Sequence, residues 1–138
     1  MKIRQLYNKT DPQRKYLAQF VRIGQMKSGY KDGQGFVVAK TQSVKRINPQ
    51  GHLVDVPGPE RTTYVTAIIF TDKELNVKVE CSCSDNTFRF EFANHSQGAA
   101  DIQYSNGDPP VITNPSLKVS LCKHLVALYL KVAHKIPT

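Results

Sequence analysis

Two of the three cysteines in this chain, Cys81 and Cys83, sit one residue apart in "VKVECSCSDNTF". The third, Cys122, comes after residues 84–121 and opens "CKHLVALYL", with His124 two positions on. Thiolates and imidazoles are zinc ligands, and four of them make the closed tetrahedral set of a structural site. Residues i and i+2 of a strand point to one side. Two cysteines so placed can meet one ion at the sulfur separation of roughly 3.8 Å that a Zn–S bond of ~2.3 Å implies. Cys-x-His inside a helix would diverge, but across a helix start the first residue lies outside the regular turn and the two can converge. The free N–H groups and partial positive charge at a helix start also favour a thiolate. The chemistry read from these spacings is a set of three cysteines and one histidine, Cys81, Cys83, Cys122 and His124, holding one Zn2+.

Competing uses of the same residues each leave something over. A Cys81–Cys83 disulfide is a strained ring, in a chain that shows no export signal, and it strands Cys122. Three buried, unligated thiols are ordinary core chemistry. Cys122 with His124 has the composition of a nucleophile and its base, which leaves the Cys-x-Cys unaccounted for. His95 is an alternative fourth ligand to His124, whereas His52 falls in a turn and His134 near a helix end. "GYKDGQGF" has neither Walker nor Rossmann spacing and reads as a flexible turn into the first strand. With no paired carboxylates in view, the expectation is a protein that is not an enzyme and takes no small-molecule substrate.

The elements that must position these residues read as α+β. The 138 residues suit one domain. "TDPQRKYLAQFVRIGQMKSG" has Thr10 or Asp11 as N-cap and Pro12 at the first helical position. Leu17, Phe20, Val21 and Gly24 then share a face, although "YLAQFVRI" also alternates as a strand does. Residues 1–34 are accordingly expected to be a basic helix-and-loop region. An antiparallel β-meander follows over 35–93, in "GFVVAKTQSVKRI", "LVDV", "TTYVTAIIF", "NVKVECSC" and "TFRFEF". These runs are β-branched or aromatic and punctuated by turn residues. In the last of them Phe88, Phe90 and Phe92 alternate onto one face as core. Residues 94–119 are rich in Gly, Pro, Asn and Ser and predict a long inserted loop, which in a small domain is held by something or used for something. Residues 120–136 predict a closing helix with Ser120 as cap, Leu121, Leu125, Leu128, Tyr129 and Val132 as its stripe, and Pro137 as its stop.

The formal charge is +8, and it is uneven. Residues 1–46 carry 11 Lys and Arg against 2 acidic residues, while residues 81–138 carry 5 against 4. The cations are Lys2, Arg4, Lys9, Arg14, Lys15, Arg22, Lys27, Lys31, Lys40, Lys45 and Arg46. Such a segment attracts phosphate backbones or acidic protein surfaces, most strongly at low salt. No apolar run reaches the ~20 residues of a membrane span, and "MKIRQLYNKTDPQ" is too polar for a signal peptide. A cytoplasmic protein not secreted through a signal peptide is the expectation.

Cys81-Ser-Cys83, a gap, and Cys122-Lys-His124 running into "LVALYL" resemble the SWIM zinc finger, whose ligands are Cys-x-Cys and a Cys-x-His at the head of a helix. The resemblance covers residues ~75–134 and departs from the family in its long gap, which looks like an insertion. It implies a zinc-binding module, often presumed to bind nucleic acid. More loosely, "YSNGDPP" and "TNP" before "CKHL" resemble small phage-encoded SWIM-like proteins. That resemblance implies a virion component in a head, neck, tail or baseplate, with Tyr104 and Asn106 in a loop that docks onto other protein subunits. The residues themselves are turn formers: Asn-Gly supplies positive φ, and the prolines stiffen the path. Partner-binding residues on this combined reading are Lys2, Arg4, Arg14, Lys15, Arg22, Lys45, Arg46, Tyr104 and Asn106.

Overall fold

Asp32 and Gly33 both have positive φ, 54° and 78°, the backbone that a two-residue hairpin turn demands and that Asp-Gly supplies. They join β1 (Val21–Lys31) to β2 (Gln34–Ser43) in the computed structural model, which describes residues 1–137. "GYKDGQGF" is thus a hairpin tip between two strands. With β5 (Tyr64–Phe70) and β6 (Val77–Cys81) these form a four-stranded antiparallel sheet in the order β1-β2-β5-β6. Between β2 and β5 the chain makes a separate small ribbon of β3 (Lys45–Ile47) and β4 (Leu53–Asp55). Its turn is closed by Asn48 Oδ1, which accepts from Gln50 and His52 N–H.

Helices lie on one face of the sheet. α1 (Ile3–Asn8) contributes Ile3 and Leu6 to the core. α2 (Pro12–Leu17) begins as its sequence predicts, with Asp11 as N-cap accepting from Arg14 N–H and Pro12 in the first turn. α4 (Lys123–Val132) is the centre of the core: Leu125, Val126 and Leu128, with Leu121 just before the helix, are fully buried, among Val37, Ile68, Val77 and Val79 of the sheet. The expected stripe is therefore present. Its cap is Cys122, in extended conformation, and not Ser120, whose hydroxyl reaches Thr10 and the Leu121 carbonyl.

Two expectations are corrected. The helix expected to run toward Gly24 stops at Leu17, with a short 3-10 turn over Ala18–Phe20. β1 takes the residues from Val21 because β-branched Val21 and Ile23 pair opposite Ser43 and Thr41 at the edge of the core. "TFRFEF" is not a strand. A π-helical turn (Asn86–Phe90) runs into α3 (Glu91–Ser96), so period-two alternation gives way to helical geometry: Phe90 is buried and Phe88 is 65% exposed. The chain turns where the Thr87 N–H donates to the Cys83 carbonyl (3.0 Å). The free edge of β6, where another strand would pair, is met by Ala99, whose carbonyl accepts from Val79 N–H. Residues 97–121 have no regular structure, as the composition predicts, but α3 takes the first three residues of the expected loop. No helix among the described residues is long and apolar enough to cross a membrane.

Candidate metal centre

Cys81 is the last residue of β6, and Cys83 lies just beyond it, where the chain leaves the sheet. The departure is fixed by a reciprocal pair: Ser82 N–H donates to the Val65 carbonyl, and Val65 N–H donates to the Ser82 hydroxyl. From the other end of the fold, Cys122 caps α4 and His124 sits in its first turn, so the helix starts between them. The four side chains offer donor atoms that all lie within 4.8 Å of one another. All four are buried: Cys81 and Cys122 fully, Cys83 and His124 to 3% exposure.

This arrangement bears on the competing readings. The cysteines are unpaired. His95 is outside the cluster, its Nδ1 2.9 Å from the Ala100 carbonyl. Cys122 Sγ and His124 Nδ1 are 4.0 Å apart. The four residues singled out by their spacing are the four that the fold brings together. The sequence does not foretell that Cys83 would lie outside the strand.

Around the donors is a set of orienting contacts. His124 Nε2 lies 2.9 Å from Ser43 Oγ at the end of β2, and Tyr64 packs on the imidazole at 4.8 Å between ring centroids. A metal-binding histidine commonly has its second nitrogen held in this way, which fixes tautomer and ring angle. Asn86 N–H points at Cys83 Sγ (3.4 Å), and its amide nitrogen donates to the Cys81 carbonyl (2.9 Å). Thr66 Oγ1 lies 3.4 Å from Cys81 Sγ and 2.9 Å from Thr41 Oγ1. Sequence reasoning missed all of these, since nothing local to Ser43 or Thr66 marks them. Ser43→Ala is expected to lower metal affinity about 10–100-fold with the fold retained, the usual cost of losing such a partner. Competition titration with a chromogenic chelator reads it, and unchanged affinity would remove Ser43 from this role.

The electrostatics fit a cation. The Cys81 thiol is held well below its usual range by hydrogen bonds from the Cys122 and Cys83 thiols, while burial pushes Cys122 well above its own. Thiolates crowded in a buried site repel one another, and a divalent cation among them removes that conflict. Lys123, between the last two ligands, has its ammonium pKa lowered by burial, opposed by the neighbouring charges of Cys83, Asp85 and Cys122.

The segment leaving Cys83 is clamped from α2. Arg14 donates through Nε and Nη2 to the two oxygens of Asp85, both at 2.7 Å, and through Nη1 to Asp11 at 2.6 Å. Its guanidinium also lies over Phe90. Other expected partner-binding cations are engaged too: Lys45 with Asp55, Arg46 with Glu60, and Lys15 over the ring of Tyr7. Lys2, Arg4 and Arg22 are exposed. Tyr104 and Asn106 lie together on the long loop and share no hydrogen bond with those cations among the described residues. A cavity of about 230 Å³ beside the cluster is lined by Cys83, His124, Lys123, Tyr64, Arg61 and Arg46, among others.

Three cysteines and a histidine at the junction of an antiparallel sheet and a helix start define a protein with a candidate metal centre. Compared with known protein families, with curated proteins and with solved structures, the chain matches none.

Proposed function

We propose that Cys81, Cys83, Cys122 and His124 bind one zinc ion as a structural site, and that the chain acts without catalysis as a docking component of a larger protein assembly. The observation that carries the reading is the convergence of four buried nitrogen and sulfur donors, two from the end of β6 and two from the start of α4. Donation by three sulfurs and one nitrogen suits zinc, and four protein ligands leave no position for a catalytic water.

The docking role is supported by an apolar surface shared by the long loop and the π-helical turn. Phe88, Val111 and Ile112 are 65%, 72% and 90% exposed, on backbone held in place by the Thr113 hydroxyl on the Phe88 carbonyl and by Asn114 on the Arg89 carbonyl. Large apolar side chains held out on fixed backbone suit a protein partner. The resemblance of the ligand spacing to the SWIM finger, and of the loop to small phage-encoded proteins, supports a virion as the assembly. Elemental analysis tests the metal half. One zinc per chain is the expected result, and protein kept reduced and away from chelators that holds no metal would overturn it. For the docking half, Phe88→Ser with Ile112→Ser is expected to keep the zinc and lose co-purification with the assembly. Unaltered incorporation would sink that half alone.

A further inference from the structure

The face of the four-stranded sheet away from α4 is open over β1 and β2, while at β6 the long loop crosses it, with Lys78 paired to Asp101. α4 packs against all four strands, and the residues facing it, such as Ala39, Thr41, Thr66 and Ile68, are buried. Ala39 pairs with Thr66 and Val37 with Ile68, so the residues between them, Lys40, Val38 and Phe36 of β2, point the other way. A bulge in β1 decides what joins them. Gly24 pairs with Lys40 and Lys27 with Val38, three steps on β1 against two on β2, with Gln25 at φ 46°. One extra residue inverts the alternation of everything beyond it. Lys27 and Lys31 therefore face outward with Arg22 and Lys40; in an unbulged strand they would face the helix.

These four cations are exposed, and none forms an ion pair among the described residues, unlike Arg14, Lys45 and Arg46. Between them lies an aromatic ring. Phe36 pairs with Gly29, and its Cζ would come within 3.4 Å of a Cβ built there, so the missing side chain gives the ring room to lie across β1.

We propose that this outer face binds single-stranded nucleic acid, with Arg22, Lys27, Lys31 and Lys40 on phosphates and Phe36 as a platform for a base. The zinc reading neither requires nor is required by this. A strand rise of ~3.3 Å per residue separates Lys27 from Lys31 by about 13 Å, and the bulge makes the spacing along β1 irregular. A phosphodiester chain carries charge at every step and can meet cations at any such spacing. An acidic peptide would have to match the register. An open sheet surface with an aromatic among its cations suits an unpaired strand better than a duplex, whose grooves are read by an inserted helix or ribbon.

Fluorescence anisotropy of the whole zinc-loaded chain with labelled oligo(dT), oligo(rU) and a duplex of equal length tests this. Affinity for the single strands should fall with salt at a log–log slope of about −3, from ~0.7 per phosphate and four cations. Lys27→Glu with Lys40→Glu is expected to weaken binding by on the order of a hundredfold at low salt. Lys131→Glu with Lys135→Glu, the same change in net charge on the helical side, should alter it less than about threefold. Phe36→Leu should cost roughly fivefold or more if a base stacks there. Lys27→Gln with Lys40→Gln serves if the glutamates disturb folding, and metal content with thermal unfolding checks every variant. Equal losses in the two charge pairs, tighter binding of the duplex, equal competition by polyglutamate, or no binding at low salt would each overturn the proposal and leave the zinc reading untouched.

Discussion

Cys122→Ser is expected to lose the metal and a large part of the folding stability in one step. Cys122 is fully buried and caps the first turn of α4. Serine is nearly isosteric, so packing is conserved and the loss is that of a thiolate ligand. Metal-binding free energy at a structural site is folding free energy, about 10–16 kcal/mol in isolated zinc-finger peptides. This chain has its own core from Leu6 to Val132, so its sheet and helix do not depend on the metal alone. A loss of at least ~3 kcal/mol is expected, which for a domain of this size lowers Tm by roughly 10 °C. Calorimetry with and without chelator gives a closed comparison: chelator should reproduce the variant in the wild type and do nothing further to the variant. Acid should act in the same direction, because the ligands must be deprotonated to bind. A Cys122→Ser protein that keeps one metal per chain and its full Tm would remove Cys122 from the ligand set.

The cluster was legible in the sequence because metal chemistry demands particular atoms at particular spacings, and few residue pairs satisfy it. A helix start between Cys122 and His124 lets the pair converge where the interior of a helix would not, so the chemistry and the boundary of α4 point to the same place. Strands β2 to β6 were legible for a similar reason: β-branched runs sit between strong turn residues. The errors came where local pattern and tertiary demand disagree. "TFRFEF" alternates as a strand does, yet the chain turns helical from the cluster because Asp85 is held by Arg14 and Thr87 bonds back to Cys83. "SDN" also carries helix-capping residues, a signal that competes with its turn reading. β1 was obscured by its bulge, which breaks the period-two pattern at Gln25 and Met26. The cations of residues 1–46 were legible as a count. Which of them share a face depends on strand register and that single extra residue, information the composition does not hold.

Glu91 is the other position at which one substitution should do large damage, and its sequence context reads as an outward-facing strand residue. It is 2% exposed, at the start of α3. Its Oε1 accepts from the backbone N–H groups of Gln103, Tyr104 and Ser105 at 2.9–3.0 Å, and Oε2 accepts again from Tyr104 at 3.1 Å. Three successive amides converging on one carboxylate replace the ladder that an irregular segment lacks. Asn94 does the same for Ser120, accepting from its N–H and donating to its carbonyl. The long loop is therefore ordered by polar side chains of the helix it crosses. Glu91→Gln removes the charge on which the three amides converge and turns an NH2 group toward the Tyr104 N–H where Oε2 now accepts. The expected loss is roughly 2–4 kcal/mol, a fall in Tm of about 5–15 °C. Hydrogen exchange should accelerate at residues 103–105 beyond what the global change explains, with zinc content unchanged, since all four ligands lie outside that contact. Uniform acceleration with no excess at those amides would show that Glu91 supports the core as a whole and does not hold the loop. Loss of zinc in parallel would show that the loop and the metal centre are one cooperative unit.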